Sequence, residues 1–407
     1  INCMQGFISS LKERRDEFVH VLMWEIGKSM EDAQSEFDRT IDFMECTISS
    51  YKRMIEKDGT WKKEDGFWSK LKRGPIGIMF HMGPFNYPMK AAFAALFPAL
   101  LLGNVAIFKV PALGGLVHFL AMESFMKHLP AGVMNFLCGS SKDLTKLLMQ
   151  SGCVDMFTFI GTAATADAII KEHPEPHRLR TTLQLESKNL GILLPSADME
   201  CALRELTTGC TSFNGQRCTA MKMIFVHKSM SHEFIPKFCE RVSQLKWGNP
   251  WEPGVKITPL PEEHKIRDMS SLIKDATDHG AKLVNEQMGG GSCLFNLMRP
   301  AILFPVNSSM RIFHEEQFGP VIPIVEYETF SEVYEYIAHS PFGHQASIFT
   351  QDFKASGPLL DLLSNAVCRV NINTQCGRSM GSLPFCGRRS FGKGVLSVTD
   401  SLSEFSL

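Results

Sequence analysis

The stretch Asn214-Gly215-Gln216-Arg217-Cys218-Thr219 places a cysteine after a glycine turn and directly beside an arginine. The thiolate is the nucleophile in cysteine chemistry, and a neighbouring cation lowers the thiol pKa so that more of it is ionised near neutral pH. Attack on a carbonyl carbon needs that combination. A free cysteine is also among the most buried residue types, so the assignment rests on the company Cys218 keeps elsewhere in the chain.

Composition limits what can surround such a site. With 407 residues, 44% hydrophobic and 21% charged, the chain is an ordinary globular protein too long for one simple core. Forty-two basic against 43 acidic side chains leave a net charge of -1, so nothing favours nucleic acid or an anionic membrane, and any bound anion must be met locally. The 12 cysteines are scattered without a C-x-x-C pair, which suits a reducing, cytoplasmic setting. His173 and His177 are four apart, but Pro174 and Pro176 break the helix that would align them, and no metal is assigned. The uncharged run Ala91 to Phe108 is interrupted by Pro98, Gly103 and Asn104, which predicts a buried helix entering a strand rather than a membrane span. A chain that begins at Ile1 rather than Met leaves room for an upstream leader.

The elements that must position Cys218 follow from periodicity. Phe7, Leu11, Phe18, Leu22 and Ile26 recur at helical spacing, and charged helices continue as far as Arg53. Residues 58–73 mix charges with Trp61, Phe67 and Trp68, as an exposed hairpin arm would. Strands are expected at 76–80, 105–108, 135–137 and 157–160, alternating with helices. A second α/β pattern after 187 has strands at 191–194, 223–226, 301–304 and 321–327, and a helix over 233–245. Alternation implies parallel pairing and a ligand site at the carboxyl ends of the strands. No G-x-G-x-x-G is present, so the cofactor domain is not a standard dinucleotide fold.

Gly83 to Pro88, Lys109, Leu129 to Gly139, Phe159 to Thr162, Leu183 to Asn189, Gly215 to Thr219, Glu315 to Val321 and Pro384 to Gly394 fall in one order. This order resembles the aldehyde dehydrogenase superfamily across essentially the whole chain. Gln216-Arg217-Cys218-Thr219-Ala220 and Phe85-Asn86-Tyr87-Pro88 look most like its NADP-dependent, non-phosphorylating glyceraldehyde-3-phosphate dehydrogenases. The resemblance implies an α/β fold: an atypical Rossmann cofactor domain (1–57 and 74–186), an α/β catalytic domain (187–385), and a small β oligomerisation arm (58–73 and 395–407) that crosses subunits of a homodimer or homotetramer.

It also implies roles. Cys218 attacks the aldehyde, while the Asn86 amide and the Cys218 backbone N–H hold the oxyanion. Lys109 binds the adenosine ribose, Gly161 and Thr162 lie beneath the pyrophosphate at a helix start, and Glu316 and Phe318 meet the nicotinamide ribose and ring. Ala112 stands where NAD-preferring relatives carry a glutamate that would repel a 2′-phosphate, so NADP is the expected cofactor. Arg53, Tyr87, Arg217 and Arg378 match residues that hold the phosphate of a small phosphorylated aldehyde, a task the rigid arginine fork suits. Singly, each arginine reads as a surface ion-pair partner; their agreement carries the assignment.

One departure bears on turnover. The family's general base is a glutamate in Leu-Glu-Leu-Gly-Gly-Lys, and here the segment is Leu183-Gln184-Leu185-Glu186-Ser187-Lys188. Gln184 occupies the base position and cannot take a proton from water. Glu186 lies two residues on, which in a strand puts it on the same face as position 184 and offers a replacement carboxylate, against its reading as a charged rim residue. Three functions compete: oxidation of glyceraldehyde 3-phosphate with slow deacylation, acyl transfer to coenzyme A, and a degenerate relative that only binds nucleotide or sugar phosphate.

Overall fold

The computed structural model describes residues 1–378 and 381–407. Three helices open the chain: α1 (Asn2–Glu13), α2 (Arg15–Ile26) and α3 (Met30–Asp58). Left-handed Gly27 ends α2, and the Ser29 side chain starts α3 by accepting from Asp32 N–H. Between these caps Lys28 is fully buried, ion-paired with Glu36 on α3. An exposed hairpin follows, β1 (Lys62–Glu64) against β2 (Phe67–Ser69), with Trp61, Phe67 and Trp68 turned outward.

The chain then alternates through β3 (Ile78–Met82), α4 (Pro88–Leu101), β4 (Val105–Lys109), α5 (Leu116–His128), β5 (Met134–Leu137), α6 (Ser141–Gln150), β6 (Met156–Ile160), α7 (Ala163–Ile170) and β7 (Arg180–Gln184). The strands form one parallel sheet in the order β7-β6-β3-β4-β5, and Gly392–Lys393 adds antiparallel to β7. The uncharged run of the sequence resolves into α4 and β4. Among the described residues no helix is long and apolar enough to cross a membrane.

A second sheet is built from β8 (Asn189–Leu193) and, after α8 (Met199–Thr211), β9 (Met221–His227). Its order is 282–283, 301–304, 321–327, β9, β8, 345–349, 369–372, parallel except at the first strand. β8 is buried along its whole length, as strands covered by helices on both faces must be.

The end of the chain departs from expectation. Apolar alternation after 395 implies a strand reaching to another subunit, but Leu396, Leu402 and Phe405 bury in the core shared with α1 to α4. Leu402 and Phe405 are three apart on or beside the short helix Asp400–Glu404, so the pattern is helical there. Gly74 and Leu407 exchange two backbone hydrogen bonds that tie the end to the chain's own body.

The buried ion pair joins this scaffold to the candidate chemistry. Glu36 Oε1 accepts from the N–H groups of Met89 and Lys90 in the first turn of α4, and Lys28 Nζ stands 3.4 Å from the centroid of the Tyr87 ring at the α4 N-cap. Removing one partner leaves the other charge buried alone. Lys28→Met is therefore expected to lower the unfolding free energy by about 3 to 5 kcal/mol, read from the urea midpoint at unchanged slope. A loss below about 1 kcal/mol would show that Glu36 is held by the α4 amides without its lysine.

Candidate active site

Three consecutive residues before the cysteine take left-handed backbone angles: Phe213 (φ 48°), Asn214 (φ 55°) and Gly215 (φ 73°). Such angles strain a phenylalanine and are costly outside glycine and asparagine. They are held by Asn214, whose side chain accepts from Thr258 N–H and donates to the Thr258 carbonyl. A Cβ on Gly215 would come within 2.8 Å of the Gly319 carbonyl and 3.0 Å of the Cys210 carbonyl, so only glycine fits.

The turn delivers Cys218 with its peptide fixed. Its carbonyl accepts from Ser187 Oγ (2.5 Å), Asn189 Nδ2 (2.8 Å) and His344 Nδ1 (3.1 Å). Burial drives the His344 pKa down to about 3, so the ring is neutral and carries its proton on Nδ1 to make that bond. The Asn86 amide donates to the Gln216 carbonyl at 2.8 Å, which uses one of its two N–H bonds and leaves the second for an oxyanion. The Cys218 N–H has no backbone acceptor among the described residues.

Electrostatics correct one expectation. Burial raises the Cys218 thiol above its ordinary range; Lys222, Arg378 and Arg217 oppose that rise, and Glu316 adds to it. The adjacent arginine therefore limits the cost of a buried thiolate without producing a low pKa, because desolvation outweighs it. Lys222 and Glu316 form a buried ion pair, and Lys222 Nζ also lies 4.4 Å from the Phe318 ring centroid. Lys188 is buried too, donating to the Glu315 carbonyl and to Gln317, and desolvation followed by Lys222 brings it down to about 7.

Beside the cysteine lies a cleft of about 670 Å³ bordered by Arg217 and Thr219. Tyr87 and Arg378 line it, and desolvation brings Arg378 down to about 10. Buried Arg217 Nε has no hydrogen-bond partner. Arg53 is not among the lining residues. It is exposed and donates to Ser50 Oγ within its own helix, because its position on α3 turns it away from the cleft. In its place are two cations that sequence reasoning missed: Arg39, which donates to the Arg378 carbonyl, and Lys90, which donates to the Arg39 carbonyl at 2.9 Å. They are 51 residues apart and meet only because α3 packs on α4. No local pattern signals them.

The other candidates gather at the ends of β4, β6 and β7. Lys109 closes β4 and donates to the Val110 carbonyl, while Ala112 is exposed three residues on. Thr162 caps α7 through Thr165 N–H, and a Cβ on Gly161 would strike the Phe159 ring at 2.4 Å. Gln184 is the last residue of β7 and is buried, with its Nε2 lacking any partner. The strand stops there, so the face-sharing argument for Glu186 fails. Its carboxylate instead accepts from Ala163 N–H at 3.0 Å, the first amide of α7. Glu186 thus occupies a helix start, which favours an anion. Among the described residues no cluster of histidine, cysteine and carboxylate side chains could hold a metal.

Comparison with known proteins converges on one family. The aldehyde dehydrogenase family model matches residues 1–407. An NADP-dependent glyceraldehyde-3-phosphate dehydrogenase of Streptococcus equinus is 31% identical over 394 residues, which is 95% of this chain and 80% of that protein. A 3-sulfolactaldehyde dehydrogenase of Priestia aryabhattai is 28% identical, over 97% of this chain and 82% of its own. The crystal structure of the Bacillus halodurans NADP-dependent glyceraldehyde-3-phosphate dehydrogenase complexed with NADP superposes with a TM-score of 0.91 at 30% identity, covering 100% of this chain and 84% of that one. With a pinned cysteine, a buried asparagine amide beside it and two parallel sheets in the same arrangement, the chain belongs to the aldehyde dehydrogenase family.

Proposed function

We propose that the chain oxidises glyceraldehyde 3-phosphate to 3-phosphoglycerate with NADP through a thioester on Cys218, and that release of the acyl group is slow. The observation that carries this reading is the cleft next to Cys218, lined by Arg39, Lys90, Arg217 and Arg378 against the carboxylates of Asp32, Asp42 and Glu36, the last of them already paired with Lys28. A terminal phosphate dianion offsets the excess of cations over carboxylates there. Both named relatives act on short aldehydes, one ending in a phosphate and one in a sulfonate.

The steps follow from the groups present. Cys218 gives up its proton and its sulfur attacks the aldehyde carbon, while the free Asn86 N–H and the Cys218 N–H face the developing oxyanion. The residues at the β4, β6 and β7 ends suit a dinucleotide in two respects: the α7 start is an anion site, at present taken by the Glu186 carboxylate with which a pyrophosphate would compete, and no carboxylate stands at Ala112 to oppose a 2′-phosphate. Lys109, Gly161, Thr162, Glu316 and Phe318 would hold it, and NADP when bound supplies the hydride acceptor. Deacylation needs a base for water, and Gln184 can orient water but cannot accept its proton. The exposed hairpin aromatics suit an arm that joins a homodimer or homotetramer.

Three outcomes are expected. Mixing with glyceraldehyde 3-phosphate and NADP gives a stoichiometric burst of NADPH and then weak turnover, and Gln184→Glu raises the steady rate on the order of 10²-fold. A wild type at full speed, no burst, or a steady rate accelerated by coenzyme A would each overturn the reading. Because the folded thiol pKa is raised, alkylation of Cys218 should keep climbing with pH beyond the usual thiol range. Lys222→Met removes the strongest opposing cation and should slow labelling at pH 8 by about tenfold, as the thiolate becomes correspondingly scarcer. Mass-spectrometric labelling rates decide this, and an unchanged rate contradicts it. Finally, Glu186→Gln keeps an acceptor for Ala163 N–H but removes the charge that competes with a pyrophosphate, so calorimetry should show NADP binding about three- to tenfold tighter. Equal affinity in the two proteins would mean that the carboxylate does not compete.

A further inference from the structure

Two thiols outside the proposed chemistry lie in contact, Cys368 Sγ and Cys386 Sγ 2.9 Å apart. This is the only thiol–thiol contact among the described residues. The backbone explains it. Cys368 N–H donates to the carbonyls of Gly343 and His344, and Gly343 pairs antiparallel with Arg388. Residues 368 and 386–388 are thus the two neighbours of one short strand, Phe342–Gly343. Gly343 brings them close because it has no side chain: a Cβ there would meet the Arg388 carbonyl at 2.5 Å and the Ala366 carbonyl at 2.9 Å. Both cysteines are part-exposed, so a small oxidant can reach them, whereas Cys210, Cys239 and Cys376 are buried.

We propose that Cys368 and Cys386 are a redox modification site, closing reversibly to a disulfide that is independent of Cys218. A disulfide requires sulfurs about 2.05 Å apart, so closure moves them by less than an ångström from their present contact. With a small disulfide such as oxidised glutathione as the oxidant, one thiol loses its proton and attacks a glutathione sulfur. That forms a mixed disulfide and expels one glutathione thiolate. The second thiol, once deprotonated, attacks the protein sulfur of the mixed disulfide and expels the other. Two protein thiols are oxidised and one glutathione disulfide is reduced to two glutathione thiols. Burial and the neighbouring Cys368 raise Cys386 to about 12, so closure should quicken with rising pH.

The pair lies behind the candidate nucleophile. Phe385 and Phe391, on either side of Cys386, pack against the His344 ring at 5.0 and 3.8 Å, and His344 holds the Cys218 carbonyl.

The test equilibrates the folded full chain with glutathione buffers of graded ratio, traps the thiols by alkylation, and maps non-reduced peptides by mass spectrometry. Expected is one cross-linked species joining 368 to 386, lighter by two hydrogens and reopened by dithiothreitol. Cys386→Ser should lose it and leave Cys368 as the mixed glutathione disulfide, and Cys368→Ser should do the reverse. Absence of the cross-link in the folded wild type, its appearance only in urea, or capping of both thiols by glutathione without joining would each overturn the proposal.

Discussion

The peptide carbonyl of Cys218 is the point on which the site depends. Ser187 and Asn189 reach it from the chain leaving the first sheet, and His344 reaches it from the start of the strand 345–349. Three donors on one carbonyl leave the cysteine backbone almost no freedom, and the left-handed turn before it is tolerable because Asn214 is locked to Thr258. The geometry of the candidate nucleophile is thus maintained by its neighbours' hydrogen bonds, as in a preorganised site.

A second constraint is the balance of charge against burial. Lys188 and Lys222 are buried and Cys218 and Arg378 half-buried within one region, and desolvation acts against the charged form of each. The ion pair between Lys222 and Glu316 meets part of that cost, since a buried charge is tolerated only with a partner. The cleft sets four cations, Arg39, Lys90, Arg217 and Arg378, against three carboxylates, Asp32, Asp42 and Glu36, the last already paired with Lys28. Lys90 is half-buried and flanked by Arg378 and Arg39; desolvation and these two cations hold it well below its ordinary pKa, against Asp42 and Glu36. An anionic ligand would relieve that strain directly.

The segment Gln184 to Ser187 departs most from the aldehyde dehydrogenase pattern, and each change has a place in the fold. Ser187 adds a donor to the Cys218 carbonyl, and Glu186 supplies an anion to the start of α7. Gln184 alone is unsatisfied, at its buried Nε2. Two of the three substitutions therefore stabilise the protein's own structure at positions where glycines would leave room for a cofactor.

Hydrophobic periodicity by itself determined the α/β class, most strands and the buried course of α4 and β4, because these depend on which side chains alternate and that is written locally. Cys218, Asn86, Tyr87, Arg217 and Arg378 became candidates through the resemblance to the aldehyde dehydrogenase family, whose motifs are likewise written locally in the chain. Only the tertiary structure decided that Arg53 turns outward while Arg39 and Lys90 meet, that Glu186 caps a helix, that the last residues fold back, and that Cys368 touches Cys386. Each of these is a contact between segments whose separation in sequence says nothing of their distance in space. Whether burial or charge wins at the thiol is likewise a sum over the surroundings, and an arginine next door in sequence is only one contributor to it.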